Sequence, residues 1–498
     1  MNIKDFFQPK NSLKKGISVS TGFGILSKTS AFFTNILIAY YFGSQTGSDV
    51  YFLIFTGLAA VTTFITNFNS ATVVPEYMRI KITNKEKASG FVNSIFVFYL
   101  VTGILICLSI FFAPVKIFSL LSNFPGDELE RFRILLLFAA PLFLLNILNA
   151  FWGDLLTANK FYSAPYILSL ITNISAVMAI LFFARKFGIT SVLIGLNTAA
   201  VSNFLLICFL LVKDLKHRFV INLPETKFIK NALIAFWGNI VVSFASFFPF
   251  ILLSGLSAGV LTSVNYGYKT AEIPVQFIAA QIAIVLGIRF NELINEGKFE
   301  ETGRLFSKGS NFLALILAAV TGYVFLLSEE IIQILFVRGA FTTVEAEISS
   351  QFLKIFVVTV FFQAVHLLIL RLFMGSFLVK QLYIYQIILN LVLIVFSYFG
   401  IKSFGATGFA YSLLAIYSLN FMAGYFICKR YFGFINYRML IKKYLKYGVI
   451  FGVLTIALSF LKPHLDFDPF IVAGIFLVIY TAIFVLLLIV QEQKQKLD

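Results

Sequence analysis

Residues 166–204 read YILSLITNISAVMAILFFARKFGITSVLIGLNTAAVSNF, and residues 383–421 read YIYQIILNLVLIVFSYFGIKSFGATGFAYSLLAIYSLNF. Each stretch holds two apolar runs joined at Phe-Gly. A helix needs about 20 apolar residues to cross a hydrocarbon core of about 30 Å, and each run reaches that length. Backbone exposed to lipid must satisfy its own hydrogen bonds, so these runs are expected to be helices. The ten-residue alternating strands of a membrane barrel do not occur.

The two stretches overlay without a gap at a shift of 217 residues. Tyr166 meets Tyr383, Asn173 meets Asn390, Phe187-Gly188 meets Phe404-Gly405, Thr190 meets Thr407, and Asn203-Phe204 meets Asn420-Phe421. Biased composition explains matches of Phe or Leu, but not two Asn pairs and a Gly pair in one register. The shift spans six helices, an even number, so the copies point the same way. Transporters built from such repeats place substrate between their halves and rock one against the other.

Outward from the repeat, the rest of the chain has the same character. Of 498 residues, 59% are hydrophobic and 12% charged, and mean hydropathy is +0.92. A soluble domain carries about a quarter charged residues. Fourteen apolar runs of spanning length extend from 17–43 to 469–490. The expected fold is an all-α integral membrane protein of about 14 transmembrane helices. It divides into a segment 1–16, a six-helix lobe 17–215, a linker 216–230, a second six-helix lobe 231–430, and residues 431–498 with two extra helices and a short tail. Residues 1–16 are polar and basic, and the apolar run after them is too long for a signal-peptide core, so no cleaved signal is expected.

Net charge of +16 raises nucleic acid as a partner, but the positions of the charges exclude it. With both termini cytoplasmic, 27 of the 39 Lys and Arg fall in cytoplasmic segments, 8 in outer ones and 4 within spans. That asymmetry is the positive-inside pattern. Cys107, Cys208 and Cys428 lie in separate apolar runs, and His217, His366 and His464 are scattered, so neither a disulfide framework nor a metal site is indicated.

Charge within a span costs at least ~2.5–3.5 kcal/mol and needs a reason. Lys28 lies in mid-span of the first helix, either neutralised by an acid in the bundle or lining a cavity. Lys269 and Glu272 share one face of the eighth helix with Tyr266; they either pair or form part of a site, and Pro274 loosens the helix beyond them. Arg371, near the cytoplasmic end of the tenth helix, is an interfacial or a cavity residue. Lys354 reads as interfacial, His366 as a packed core histidine, and Asp49 and Asp154 as helix-terminal acids. Interior cations outnumber interior acids, which favours an anionic substrate. No nucleotide-binding loop or hydrolase motif is present, so the chain is expected to be no enzyme and to hold no cofactor. A gradient of Na+ or H+, or the membrane potential, remains as a drive.

Several segments resemble the MurJ/MviN flippases of the multidrug/oligosaccharidyl-lipid/polysaccharide (MOP) exporter superfamily. They are Phe42-Gly43 with Ser48-Asp49-Val50-Tyr51-Phe52, Val73-Val74-Pro75-Glu76-Tyr77, Tyr266-x-x-Lys269 with Glu272 and Pro274, and Leu335-Phe336-Val337-Arg338-Gly339-Ala340-Phe341-Thr342. The resemblance implies alternating-access movement of an undecaprenyl-pyrophosphate-linked saccharide across a bacterial cytoplasmic membrane, for peptidoglycan lipid II or another polysaccharide repeat unit. It implies a cationic headgroup cavity, here expected from Lys28, Lys269, Arg371 and Tyr266, with Asp49 and Glu272 as functional acids or gates. Expected partners are the lipid-linked anionic saccharide, the bilayer and cell-envelope glycan synthesis enzymes. This chain has Thr34-Asn35 and Val61-Thr62-Thr63 where the family has arginines. Two other readings stay open. A multidrug antiporter of the same superfamily would want interior acids in the first lobe. A membrane-embedded glycan polymerase or ligase would want a large outer loop with acids or histidines, unlike the short loops near 116–131 and 329–348.

Overall fold

The computed structural model describes residues 13–213, 215, 220–222, 226–465 and 467–497. Most of the N-terminal segment and parts of the expected linker, including His217, lie outside the described residues. Among the described residues there are no strands, only an isolated bridge between Arg338 and Phe341. Among those residues, fourteen helices are long and apolar enough to cross a membrane. They are α1 (Leu13–Phe42), α2 (Thr46–Thr83), α3 (Lys85–Phe112), α4 (Arg133–Ala158), α5 (Ala164–Phe187), α6 (Thr190–Lys213) and α7 (Thr226–Leu253), followed by α8 (Val260–Asn295), α9 (Phe299–Leu326), α10 (Thr343–Gly375), α11 (Val379–Phe404), α12 (Ala406–Tyr431), α13 (Tyr437–Leu461) and α14 (Pro469–Leu497). The chain is a multi-pass membrane protein.

The two longest helices, α2 and α8, each carry a π-turn beside a proline. In α2 the π-turn Asn69–Val73 precedes Pro75; in α8 the π-turn Val275–Ala279 follows Pro274. Proline lacks the N–H that would close the helical ladder, and a wider turn absorbs the mismatch. This is the loosening that Pro274 leads one to expect.

The chain divides into two units, Met1–Leu261 and Thr262–Asp498. In the first, α5 packs along both α6 and α1, and α2 along α7. Its core gathers Phe96, Tyr99, Phe151 and Trp152, with Phe151–Trp152 ring centroids 5.1 Å apart. The sequence-derived boundaries open the second lobe with α7, whereas by packing α7 goes with the first unit. Phe236 of α7 meets Phe64 edge-on at 5.3 Å. In the second unit, α10 packs on α12 and α8, and α13 and α14 pack on α9. Phe361, Phe421 and Tyr444 lie at the centre of its core. Lys462 pairs with Glu330 at 2.7 Å, tying the end of α13 to the short helix Ser328–Phe336.

The internal repeat is visible in backbone geometry. Gly188 and Gly405 end α5 and α11 with φ of +54° and +59° and the same ψ of −143°. Lys160 and Phe377 are the non-glycine residues with positive φ among the described residues, at 71° and 56°. A side chain rarely adopts that conformation, yet it recurs 217 positions on. The register therefore extends upstream to the C-terminal turns of α4 and α10, where composition alone gave no signal.

Lipid offers no hydrophobic drive between helices, so association depends on close packing of small residues. At the α11–α12 contact, a Cβ on Gly408 would collide with the carbonyl of Gly400. Gly452 faces open space. Gly408→Leu is expected to abolish the monodisperse peak in size-exclusion chromatography of detergent-solubilised protein, while Gly452→Leu keeps it.

Candidate functional site

On α8, Lys269 Nζ lies 3.2 Å from Glu272 Oε2, with side chains 36% and 21% exposed. The same carboxylate oxygen accepts from Gln276 Nε2 at 3.3 Å. The ammonium also lies 5.5 Å over the Tyr268 ring, a favourable cation–π placement. The spacing of three residues brings the pair together on one helical face, as the sequence suggests.

Tyr266, one turn away, has another task. Its ring is fully buried, 4.8 Å from Phe336 and 5.4 Å from Phe341. Those phenylalanines belong to the 335–342 motif, which turns back on itself through the Arg338–Phe341 bridge. The motif then starts α10 with a capping box of Thr342 and Glu345. So this segment and Tyr266 form one aromatic wedge, and Tyr266 presents no surface to a headgroup.

Arg371 lies against Gly287, where a Cβ would come within 2.8 Å of its Cδ. Gly287 is 18 residues beyond Lys269 on α8, about 27 Å at 1.5 Å per residue. The structure does not bring Arg371 to Lys269. His366 is a packed core histidine: its Nδ1 lies 2.7 Å from the Tyr385 hydroxyl and 3.2 Å from Asn420 Nδ2.

In the first unit, Lys28 is partly buried on α1. The neighbouring Ser27 hydroxyl donates to Ser169 of α5 at 2.6 Å, and Asn173 Nδ2 donates to the Ser27 carbonyl at 3.4 Å. These bonds fix the turn that carries the lysine. Asp49, at the start of α2, is 2% exposed, and its Oδ2 accepts from the Gly259 amide at 2.6 Å. Gly259 has φ of +84°, and a Cβ there would strike the Ser44 carbonyl. Only glycine lets this loop come close enough for its amide to reach the carboxylate. Asp49 is therefore a latch holding the loop after α7 against the start of α2.

Asp154 departs from the helix-terminal reading. Its Oδ2 accepts from Asn69 Nδ2 at 2.9 Å, and the Tyr99 hydroxyl donates to Asn69 Oδ1 at 3.2 Å. It lines a cavity of about 550 Å³ together with residues of α2, α4, α5 and α6. Sequence reasoning missed this cavity. Its signal was present as polar stripes at helical spacing, Thr62, Thr66 and Asn69 on α2 and Asn146, Asn149 and Asp154 on α4.

The family described as lipid II flippase MurJ matches residues 38–481. The chain belongs to the lipid II flippase MurJ family. A probable lipid II flippase MurJ of Borreliella burgdorferi is 22% identical over 459 residues, 89% of this chain and 87% of that protein. A solved structure of lipid II flippase MurJ in an inward closed conformation superposes with a TM-score of 0.79 at 19% identity, covering 95% of this chain and 99% of that one. An inward-facing multidrug-resistance MATE transporter of the MOP superfamily gives a TM-score of 0.61 at 16% identity, with 86% and 95% covered. MurJ-family membership makes the chain a transporter rather than an enzyme. Within the family's segments the structure separates two duties. Residues 335–342 and Tyr266 hold the fold, while Asp49, Lys269 and Glu272 keep polar atoms engaged across or along helices.

A hydrogen bond to a charged acceptor contributes about 1.5–3 kcal/mol. Asp49→Ala is expected to speed hydrogen–deuterium exchange at the Gly259 amide roughly ten- to a hundredfold, with core amides of α4 unchanged. Mass-spectrometric exchange measures it, and an unchanged Gly259 amide would refute the latch.

Proposed function

We propose that this chain is a flippase for an undecaprenyl-pyrophosphate-linked saccharide, lipid II, in a bacterial cytoplasmic membrane, working by alternating access. The observation that carries the reading is the family match across residues 38–481. Chemistry agrees with it. A diphosphate needs positive charge within the bundle, and Lys28 and Lys269 supply it from within spans. Glu272 holds the Lys269 ammonium by one contact of 3.2 Å, which leaves the other N–H donors for phosphate oxygens. The chain has no nucleotide-binding motif, so net movement draws on an ion gradient, the membrane potential or consumption of the product by glycan synthesis enzymes.

One observation favours a second cargo, another polysaccharide repeat unit. The resemblance places arginines where this chain has Thr34-Asn35 and Val61-Thr62-Thr63. Threonine cannot give the planar two-point grip that arginine gives phosphate, so the headgroup contacts differ from the family pattern.

Complementation decides between the two. In a strain depleted of its own lipid II flippase, this chain is expected to restore growth. Failure there, with rescue of a strain lacking a repeat-unit flippase, would move the assignment to the second cargo. Lys269→Glu is expected to abolish rescue while membrane levels stay normal on immunoblot. Lys269→Arg, which keeps the charge, is expected to rescue. Growth supported by the glutamate variant would remove Lys269 from the site.

A further inference from the structure

The first-unit cavity around Asp154 has a mixed lining. Nine of its nineteen lining residues carry a hydroxyl, amide or carboxylate, and none carries a positive charge. Part of this polarity is spent within the protein. The hydroxyls of Thr62 and Thr172 donate to carbonyls of their own helices, and Asn203 Nδ2 gives its protons to the Leu168 carbonyl and Thr172 Oγ1. The rest is uncommitted. Asn146 Nδ2 donates once, to Thr62 Oγ1, and Asn149 Nδ2 once, to the Ala200 carbonyl, so each amide has a second proton to give. Ser169 Oγ accepts from Ser27, and its own proton has no acceptor among the described residues. Thr63 is exposed, and its hydroxyl makes no hydrogen bond among them. Asp154 adds acceptors: a carboxylate offers about four lone-pair sites, and Asn69 takes one.

A ligand that answers this lining must both donate and accept, and must offer an apolar face to Phe55 and the leucines beside the polar groups. A sugar ring does all three. Its hydroxyls give protons to a carboxylate and take them from amides and hydroxyls, and its C–H face rests on apolar wall. Other ligands answer less. A phosphate finds no cation in the wall and is repelled by Asp154. An acyl chain would leave the amide protons without acceptors. The volume of about 550 Å³ falls within the range of small-molecule sites, about 300–1,000 Å³. Gly153 lines the cavity, and a Cβ added there meets nothing within 4 Å, so the space is open. The Ser27–Ser169 bond also ties the cavity wall to the turn of α1 that carries Lys28.

We propose that this cavity binds a sugar ring of the cargo's saccharide. The Thr63 and Ser169 hydroxyls and the Asn146 and Asn149 amides donate to its oxygens, and Asp154 accepts from its hydroxyls. The assignment rests on the flippase reading and adds to it the place where the glycan is recognised. Cations serve the phosphates, and neutral groups with one acid serve the sugar. Thr62-Thr63, at positions the resemblance gives to arginine, then suit a hydroxylated group in place of a phosphate.

The test uses the purified full-length chain in detergent and two probes, undecaprenyl pyrophosphate bare and bearing a disaccharide. Native mass spectrometry is expected to show the sugar-bearing lipid bound about tenfold or more tighter. Gly153→Leu, whose side chain enters the cavity, is expected to abolish that preference and leave binding of the bare lipid unchanged. Thr63→Val is expected to weaken the sugar-bearing lipid roughly two- to tenfold, one hydrogen bond's worth. In Thr63→Cys, the sugar-bearing lipid is expected to slow maleimide labelling at position 63, read by peptide mass spectrometry, where the bare lipid does not. Equal affinity for the two lipids, a preference that survives Gly153→Leu, or labelling indifferent to the sugar would each overturn the proposal and leave the flippase reading standing. Binding of neither lipid would remove both.

Discussion

Hydrocarbon gives a polar group no water to fall back on, so every N–H, hydroxyl and carboxylate within the spans has to be answered by the protein. The backbone answers itself in helices. Side chains answer each other across helices, and the Asn residues do most of it. Asn197 reaches the Phe138 carbonyl, Asn149 reaches Ala200, and Asn69 reaches Asp154. Threonines return their protons to their own helix. Where Pro75 interrupts the ladder, the π-turn rotates the segment that begins at Asn69, and this asparagine serves both Tyr99 and Asp154. The same constraint that builds the bundle thereby selects which atoms are left over.

The spans were legible in the sequence because bilayer thickness fixes their length, a constraint that composition meets residue by residue. The Lys269–Glu272 pair was legible because three residues along a helix is a contact. Packing at a distance was not. Tyr266 shares a face with Lys269, yet its neighbours, Phe336 and Phe341, arrive from a segment some seventy residues on, and nothing local announces them. Asp154 looked like a helix-end acid because its partner, Asn69, comes from another helix through a π-turn. Residues 216–230 read as a break between lobes, and aromatic contacts such as Phe64–Phe236 group α7 with the first unit. Loop position marks where a chain can divide, and side-chain packing decides where it does.

Duplication explains how one chain comes to hold matching turns around different side-chain networks. The two copies keep their turns: Lys160 and Phe377 share a strained backbone, and Gly188 and Gly405 share a helix end. They do not keep their chemistry. Backbone geometry is set by many contacts at once and resists change, whereas a polar side chain in a cavity answers to a few neighbours and can be exchanged together with them. Asn203 bonded to Leu168 and Thr172, and Asn420 bonded to Tyr385 beside His366, are two solutions to the same local problem.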